Sequence, residues 1–254
     1  MKKILLLLLL CVLVAGCTPA DLPEPTQAPT APAASLPAEP ADILPEPDHS
    51  ALYYPEIPVE DVIDYFNEVC LDAEFVNSGD PSRLQKWQMP IYYTLHGSPT
   101  QEDLAVLTEF ADWLNTVEGF PGIQETDGTW RGNLQIHFCS REEMLDLMGD
   151  QFSNMDGAVT FWYDQDVIYD AIICIRTDLD QTLRNSVILE ELYNGLGPIQ
   201  DTQLRSDSII YAGFSQPQQL TDVDKLLLKL LYRPELQCGM DARECEILIR
   251  ELYR

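Results

Sequence analysis

Between Ile4 and Ser82 the 254-residue chain has no lysine or arginine at all. Over its whole length 15 basic residues stand against 42 acidic ones, a formal net charge of −27. A chain so short of positive charge repels phosphate backbones and anionic lipid headgroups, which excludes nucleic-acid binding and leaves a basic partner, or simple solubility, as its use. Histidine is nearly as scarce, with only His49, His96 and His137. A catalytic zinc site needs about three protein ligands, preferably imidazole or thiolate, and an open position. No zinc is therefore expected. There is no CxxC pair, which removes zinc ribbons and thioredoxin-type motifs, and no GxSxG serine elbow. No apolar run reaches the roughly 20 residues that span a bilayer.

What is present begins with a targeting segment. Lys2 and Lys3 precede an apolar run from Ile4 to Val14, and Val14-Ala-Gly-Cys17 is a small-residue cleavage site. The segment resembles a bacterial lipobox, which implies diacylation of Cys17 and loss of residues 1–16. An ordinary secretory signal with an accidental cysteine is the alternative. Lipid on Cys17 would hold the protein to a membrane by burying methylenes, at about 0.8 kcal/mol each. The expected location is the bacterial cell envelope, on the extracytoplasmic face. Thr18 in place of an aspartate permits export to an outer membrane.

Nine of the eighteen prolines fall between Thr18 and Pro47, mixed with Ala, Thr and Glu. Such a stretch cannot bury a core and reads as a disordered tether, about 90 Å long if fully polyproline-like. The domain reading is a signal peptide over 1–16, a lipidated cysteine and tether over 17–50, and one globular domain over 51–254. Cys70, Cys139, Cys174, Cys238 and Cys245 lie in that domain, and five thiols cannot all pair internally. Cys238 with Cys245 is the nearest candidate bridge, although spacing alone does not establish the geometry. Cys174 sits in an apolar strand-like run and reads as a core residue.

Within the domain, apolar spacing predicts helices over 58–73 and 100–117, and strands over 89–95, 134–138, 158–163 and 167–175. Leu134-Gln-Ile-His-Phe138 alternates like a half-exposed strand. Ser140 and Glu143 form a capping box for a short helix. Further helices run over 180–196, 221–232 and 241–253. Asp180 caps the first of them, and Gly197-Pro198 stops it. This alternation predicts an α/β or α+β domain with helices on a small, twisted, mixed sheet.

The 180–196 helix carries the chain's candidate chemistry. Ile188, Leu189, Leu192 and Leu196 cover one face, and Glu190, Glu191 and Asn194 share the other with Leu183 and Val187. Two readings stay open: ordinary solvent-facing glutamates, or an acidic patch opening onto a cleft. Glu190, Asn194 and Asp201 offer only oxygen ligands, suited to Ca²⁺, Mg²⁺ or Mn²⁺, with Glu191 as a general base beside such an ion. Paired-carboxylate chemistry by Glu190 and Glu191 is disfavoured, since adjacent helix positions point about 100° apart.

Several segments resemble the metzincin-like zinc peptidases. Glu190-Glu-Leu-Tyr-Asn-Gly-Leu-Gly197 keeps the spacing of an HExxHxxG helix without its histidines. Gly132-Asn-Leu-Gln-Ile-His-Phe138 is similar to their edge strand along the substrate cleft. Ser208-Ile-Ile-Tyr211 resembles the turn beneath their metal, and Leu220 to Tyr232 their closing helix. The chain also resembles a bacterial family known as domain of unknown function 2927, several members of which are lipoproteins. That likeness rests on Glu190-Glu191, Leu196-Gly197, Asp201, Ser208-Ile209, Leu220 to Asp224, Leu231 to Pro234 and Gly239-Met240, with Asn194 where the pattern has glutamine. Together these resemblances imply a zincin-like lipoprotein domain that is catalytically silent and retains a cleft. Ile136, His137, Glu190, Glu191, Asn194 and Tyr211 would line that cleft, and an extended peptide would pair along Leu134–Phe138. A hydrolase using the oxygen-ligand site is the alternative. A solute-binding lipoprotein is disfavoured by the single small domain.

Overall fold

The computed structural model describes residues 52–71, 82–213 and 217–254, all within one compact unit over 46–254. The signal segment, Cys17 and the tether lie outside the described residues. Six strands form one sheet: β1 (Lys86–Trp87), β2 (Ile91–Gly97), β3 (Ile123–Glu125), β4 (Leu134–Cys139), β5 (Gly157–Asp164) and β6 (Val167–Arg176). The helices are α1 (Val59–Leu71), α2 (Gln101–Leu114), α3 (Arg141–Met148), α4 (Gln181–Asn194), α5 (Asp222–Leu231) and α6 (Ala242–Leu252). The expected mixed sheet with packed helices is what the chain forms.

β4 lies between β2 and β6, parallel to both, and β3 continues the sheet beyond β2. β5 is the one antiparallel strand. It folds back on β6 through Gln165 and Asp166, both at positive φ (49° and 63°), the conformation a two-residue hairpin turn requires. One expectation is overturned here. Leu134–Phe138 is not an edge strand, because both of its sides are already hydrogen-bonded, so no peptide can pair along it. The outer strands are β3, short and partly covered by the Asn115 side chain, and β5, whose backbone among the described residues bonds only to β6 and whose other edge is open.

Alternation places Leu134, Ile136 and Phe138 on one sheet face and Gln135, His137 and Cys139 on the other. The first face is packed under α2 and α4 and holds the main core, with Ile136, Ile173, Ile175 and Ile188 fully buried. The second carries α3 and a small cluster of Cys139, Met144, Ala158 and Cys174. The Cys174 reading is thus correct. All five domain cysteines are free thiols, Cys238 and Cys245 included.

Local chemistry explains the helix ends. Asp180 caps α4 by accepting from the Leu183 N–H. At the other end two buried aromatic side chains satisfy the terminal carbonyls. Trp87 Nε1 donates to the Gly195 oxygen at 2.9 Å and the Tyr232 hydroxyl to the Leu196 oxygen at 2.7 Å. Gly197 has φ 134°, and a Cβ there would stand 2.6 Å from the Gln85 carbonyl, so only glycine lets the chain leave the helix at this point. Capping boxes at Thr100, Ser140, Thr221 and Asp241 start α2, α3, α5 and α6. No helix among the described residues is long and apolar enough to cross a membrane.

Candidate functional site

α4 runs beneath the start of β5, and their junction holds the acidic residues of the helix. Gly157 permits the approach: a Cβ on it would lie 2.5 Å from Val187 Cγ1 and 2.7 Å from both Cγ and Oε1 of Glu191. Glu191 is therefore not a solvent-facing residue. It is 7% exposed and makes no hydrogen bond to any described residue. Glu190, one position earlier, is half-buried.

Burial sets the electrostatics of the pair. It pushes the Glu190 carboxyl up to about 8, helped by the charges of Asp201 and Asp156. Glu191 is driven well above the usual carboxylate range by burial, then by Glu190 and Asp201. Burial and mutual repulsion thus favour the protonated forms of the pair, which disfavours Glu191 as a general base, a group that must be ionised at its working pH. Asn194, one turn along, has its Oδ1 buried without a hydrogen-bond partner.

Of the residues read from sequence, the structure brings Glu190, Glu191 and Asp201 into one electrostatic cluster. Asp201 precedes Thr202, whose bridge to half-buried Tyr211 ties the 208–211 turn to the same segment. Ile136 belongs to the core on the α4 side and is fully buried. His137 lies on the opposite sheet face, stacked on His96 at 4.3 Å and 11°. There it lines a hollow with Cys139, Glu143 and Asp146 of the α3 side, and burial followed by His96 lowers its pKa. His96 in turn donates from Nε2 to Gln135 Oε1 at 2.7 Å. His137 and Glu191 are thus separated by the sheet.

Glu190, Asn194 and Asp201, the oxygen-ligand set read from the sequence, are not gathered into a metal-binding group. Among the described residues no group of three or more His, Cys, Asp and Glu side chains is arranged to hold a metal ion.

Two contributors were not legible as site residues. Gly157 carries only the generic signal of a glycine at a strand start. A buried polar cluster beneath α4 was the other. Tyr193 donates to the Asp224 carbonyl, Ser208 Oγ donates to Asp224 Oδ1 at 2.7 Å, and the Tyr65 hydroxyl meets Ser208 Oγ at 3.0 Å. The Ser208–Tyr211 turn is thereby pinned under the helix by hydrogen bonds.

Fold and site define a mixed α/β domain whose buried helix carries an acidic patch beneath an open sheet edge. The chain belongs to the family described as protein of unknown function, DUF2927, whose model matches residues 59–251. No curated protein matches it.

Proposed function

We propose that this is a lipid-anchored extracytoplasmic protein whose catalytically silent, zincin-like domain captures an extended peptide along the free edge of β5. The carrying observation is that edge itself: β5 stands unpaired on one side, directly above the α4 patch. Peptides add to such edges through main-chain hydrogen bonds, and side-chain pockets give selectivity. The bulge between Trp162 and Tyr163 confines regular pairing to about Gly157–Phe161. The succession of an antiparallel edge strand, a returning strand and a helix of Glu190–Asn194 spacing supports the zincin-like scaffold. The burial that raises the Glu190 and Glu191 carboxyls above their ordinary range supports the silent reading.

Peptide capture is tested with C-amidated heptapeptides of alternating Thr and Val, bearing a neutral fluorophore and one Gln, norleucine or Lys, read by anisotropy. N-methylation of alternate amides on the side facing β5 should weaken binding roughly tenfold or more, and on the other side hardly at all. Equal losses for both sets, or no binding by any member, would sink strand addition. For the anchor, Cys17→Ser in the full chain is expected to shift the protein from the detergent phase to the aqueous phase on phase partitioning. A variant that stays with detergent would remove the lipid from the proposal.

A further inference from the structure

The chemistry around the β5 edge is one-sided. No lysine or arginine occurs between Arg141 and Arg176, a span that includes the whole β5–β6 hairpin turn, while Asp156, Asp164, Asp166 and Asp170 do. Edge strands are commonly guarded against unwanted pairing by lysine; this one carries none, and the arginines beside the hairpin are already engaged, Arg131 with Asp170 and Arg176 with Asp156. Glu191 lies against the strand's Gly157 end and Glu190 within electrostatic reach of the neighbouring Asp156, and neither forms an ion pair or hydrogen bond with any described residue. Asp156 at the same end is already paired with Arg176 at 2.8 Å. Glu191 is more than nine-tenths buried and forms no hydrogen bond with a described residue, and one turn along the same helix Asn194 Oδ1 is a buried acceptor with no partner. Buried acceptors are costly unless something donates to them.

We infer that the peptide captured on β5 is cationic, with a lysine or arginine side chain seated on Glu190 at the Gly157 end of the strand. The inference rests on the strand-addition reading and adds the chemical class of the partner. An ammonium or guanidinium supplies donors and no acceptors, which is what Glu190 and Asn194 Oδ1 lack. Its arrival displaces the Glu190 proton to solvent, so the pair forms as a charge-assisted hydrogen bond in a site largely shielded from water. Charge complementarity of this kind selects the partner and aligns its register.

The test uses the same heptapeptides at pH 8 and near-physiological salt, with Lys, norleucine or Gln moved through each position in turn. Lys is expected to bind roughly tenfold tighter than Gln or norleucine at one position and not at the others, and Glu190→Gln should abolish that ratio. The wild-type comparison stands without any variant, and melting of the variant reports whether it is folded. If all three peptides bind alike, the cationic partner is wrong and strand capture survives. A lysine preference equal at every position, or unchanged in Glu190→Gln, reflects only the overall charge and also overturns the inference. Absence of binding by every peptide overturns both readings.

Discussion

Raising the pH from 5 to 8 should lower the melting temperature of the domain, and Glu190→Gln together with Glu191→Gln should remove much of that loss. The Glu190 carboxyl titrates near 8 when folded and near 4.5 when the chain is open. Glu191 is displaced in the same direction, by burial first and then by Glu190 and Asp201. Between these limits the folded state holds protons that the unfolded state has released. Stability is therefore full below about pH 4.5 and drains away as pH rises through the folded values. Asp224, raised by burial, adds to the same trend. Lys86 opposes it only above its folded value of about 8, because burial disfavours its charge. For this reason the window to measure is pH 5 to 8. One pKa unit is about 1.4 kcal/mol, so even a shift discounted for partial exposure leaves on the order of 2 kcal/mol. For a domain of this size that is roughly 4–8 °C in the variant's favour at pH 8. A wild-type profile that is flat, or a double variant that melts earlier at pH 8, would show that the two carboxyls are not held as described.

The second large effect is expected at the α2–α4 contact. Arg184 Nε donates to Asp103 Oδ1 at 2.9 Å, with the two side chains 8% and 1% exposed. Burial pushes the Asp103 carboxyl up, but bonds from Thr100, Gln181 and Arg184 outweigh it and hold the pKa below its ordinary value. Arg184 also donates to the carbonyls of Thr177 and Leu179, so it fastens the chain between β6 and α4 as well. Arg184→Met should cost about 3–5 kcal/mol, since it leaves a buried carboxylate uncompensated. Asp103→Asn in the same background should restore part of the loss, giving a coupling of at least about 1 kcal/mol in a double-mutant cycle. Denaturant titration decides the matter. A single-variant cost under about 1 kcal/mol, as for an exposed pair, would refute the account.

Much of the fold was legible in the chain. Asp180, Ser140 with Glu143, and the leucines of α5 each announced a helix end or face through a local rule. The 158–163 and 167–175 runs, read as two strands, emerged as the two arms of an antiparallel hairpin. The strand at 134–138 shows where local rules stop. Its alternation of Leu, Ile and Phe with Gln and His reports that one face is greasy and the other polar. It says nothing about what lies to either side in the plane of the sheet. A central strand with a polar outer face and an edge strand write the same pattern, and only the register with β2 and β6 separates them. Glu190 and Glu191 were ambiguous for a similar reason. Two glutamates in so acidic a chain look solvated, and their burial depends on Gly157, a residue more than thirty positions away.

The short β1 and β3 were not read from the sequence, which by itself determined the order of the helices and of the four longer strands, the mixed α/β class, the family motifs and the scarcity of cationic and imidazole groups. These are local or compositional properties, carried by side-chain periodicity, capping geometry and charge. The tertiary structure alone decided which strand is the open edge, on which side of the sheet His137 lies, and that the α4 carboxyls are buried beneath β5. Each of these is set by long-range packing, where a glycine's missing Cβ and the loss of water change what a carboxyl group can do.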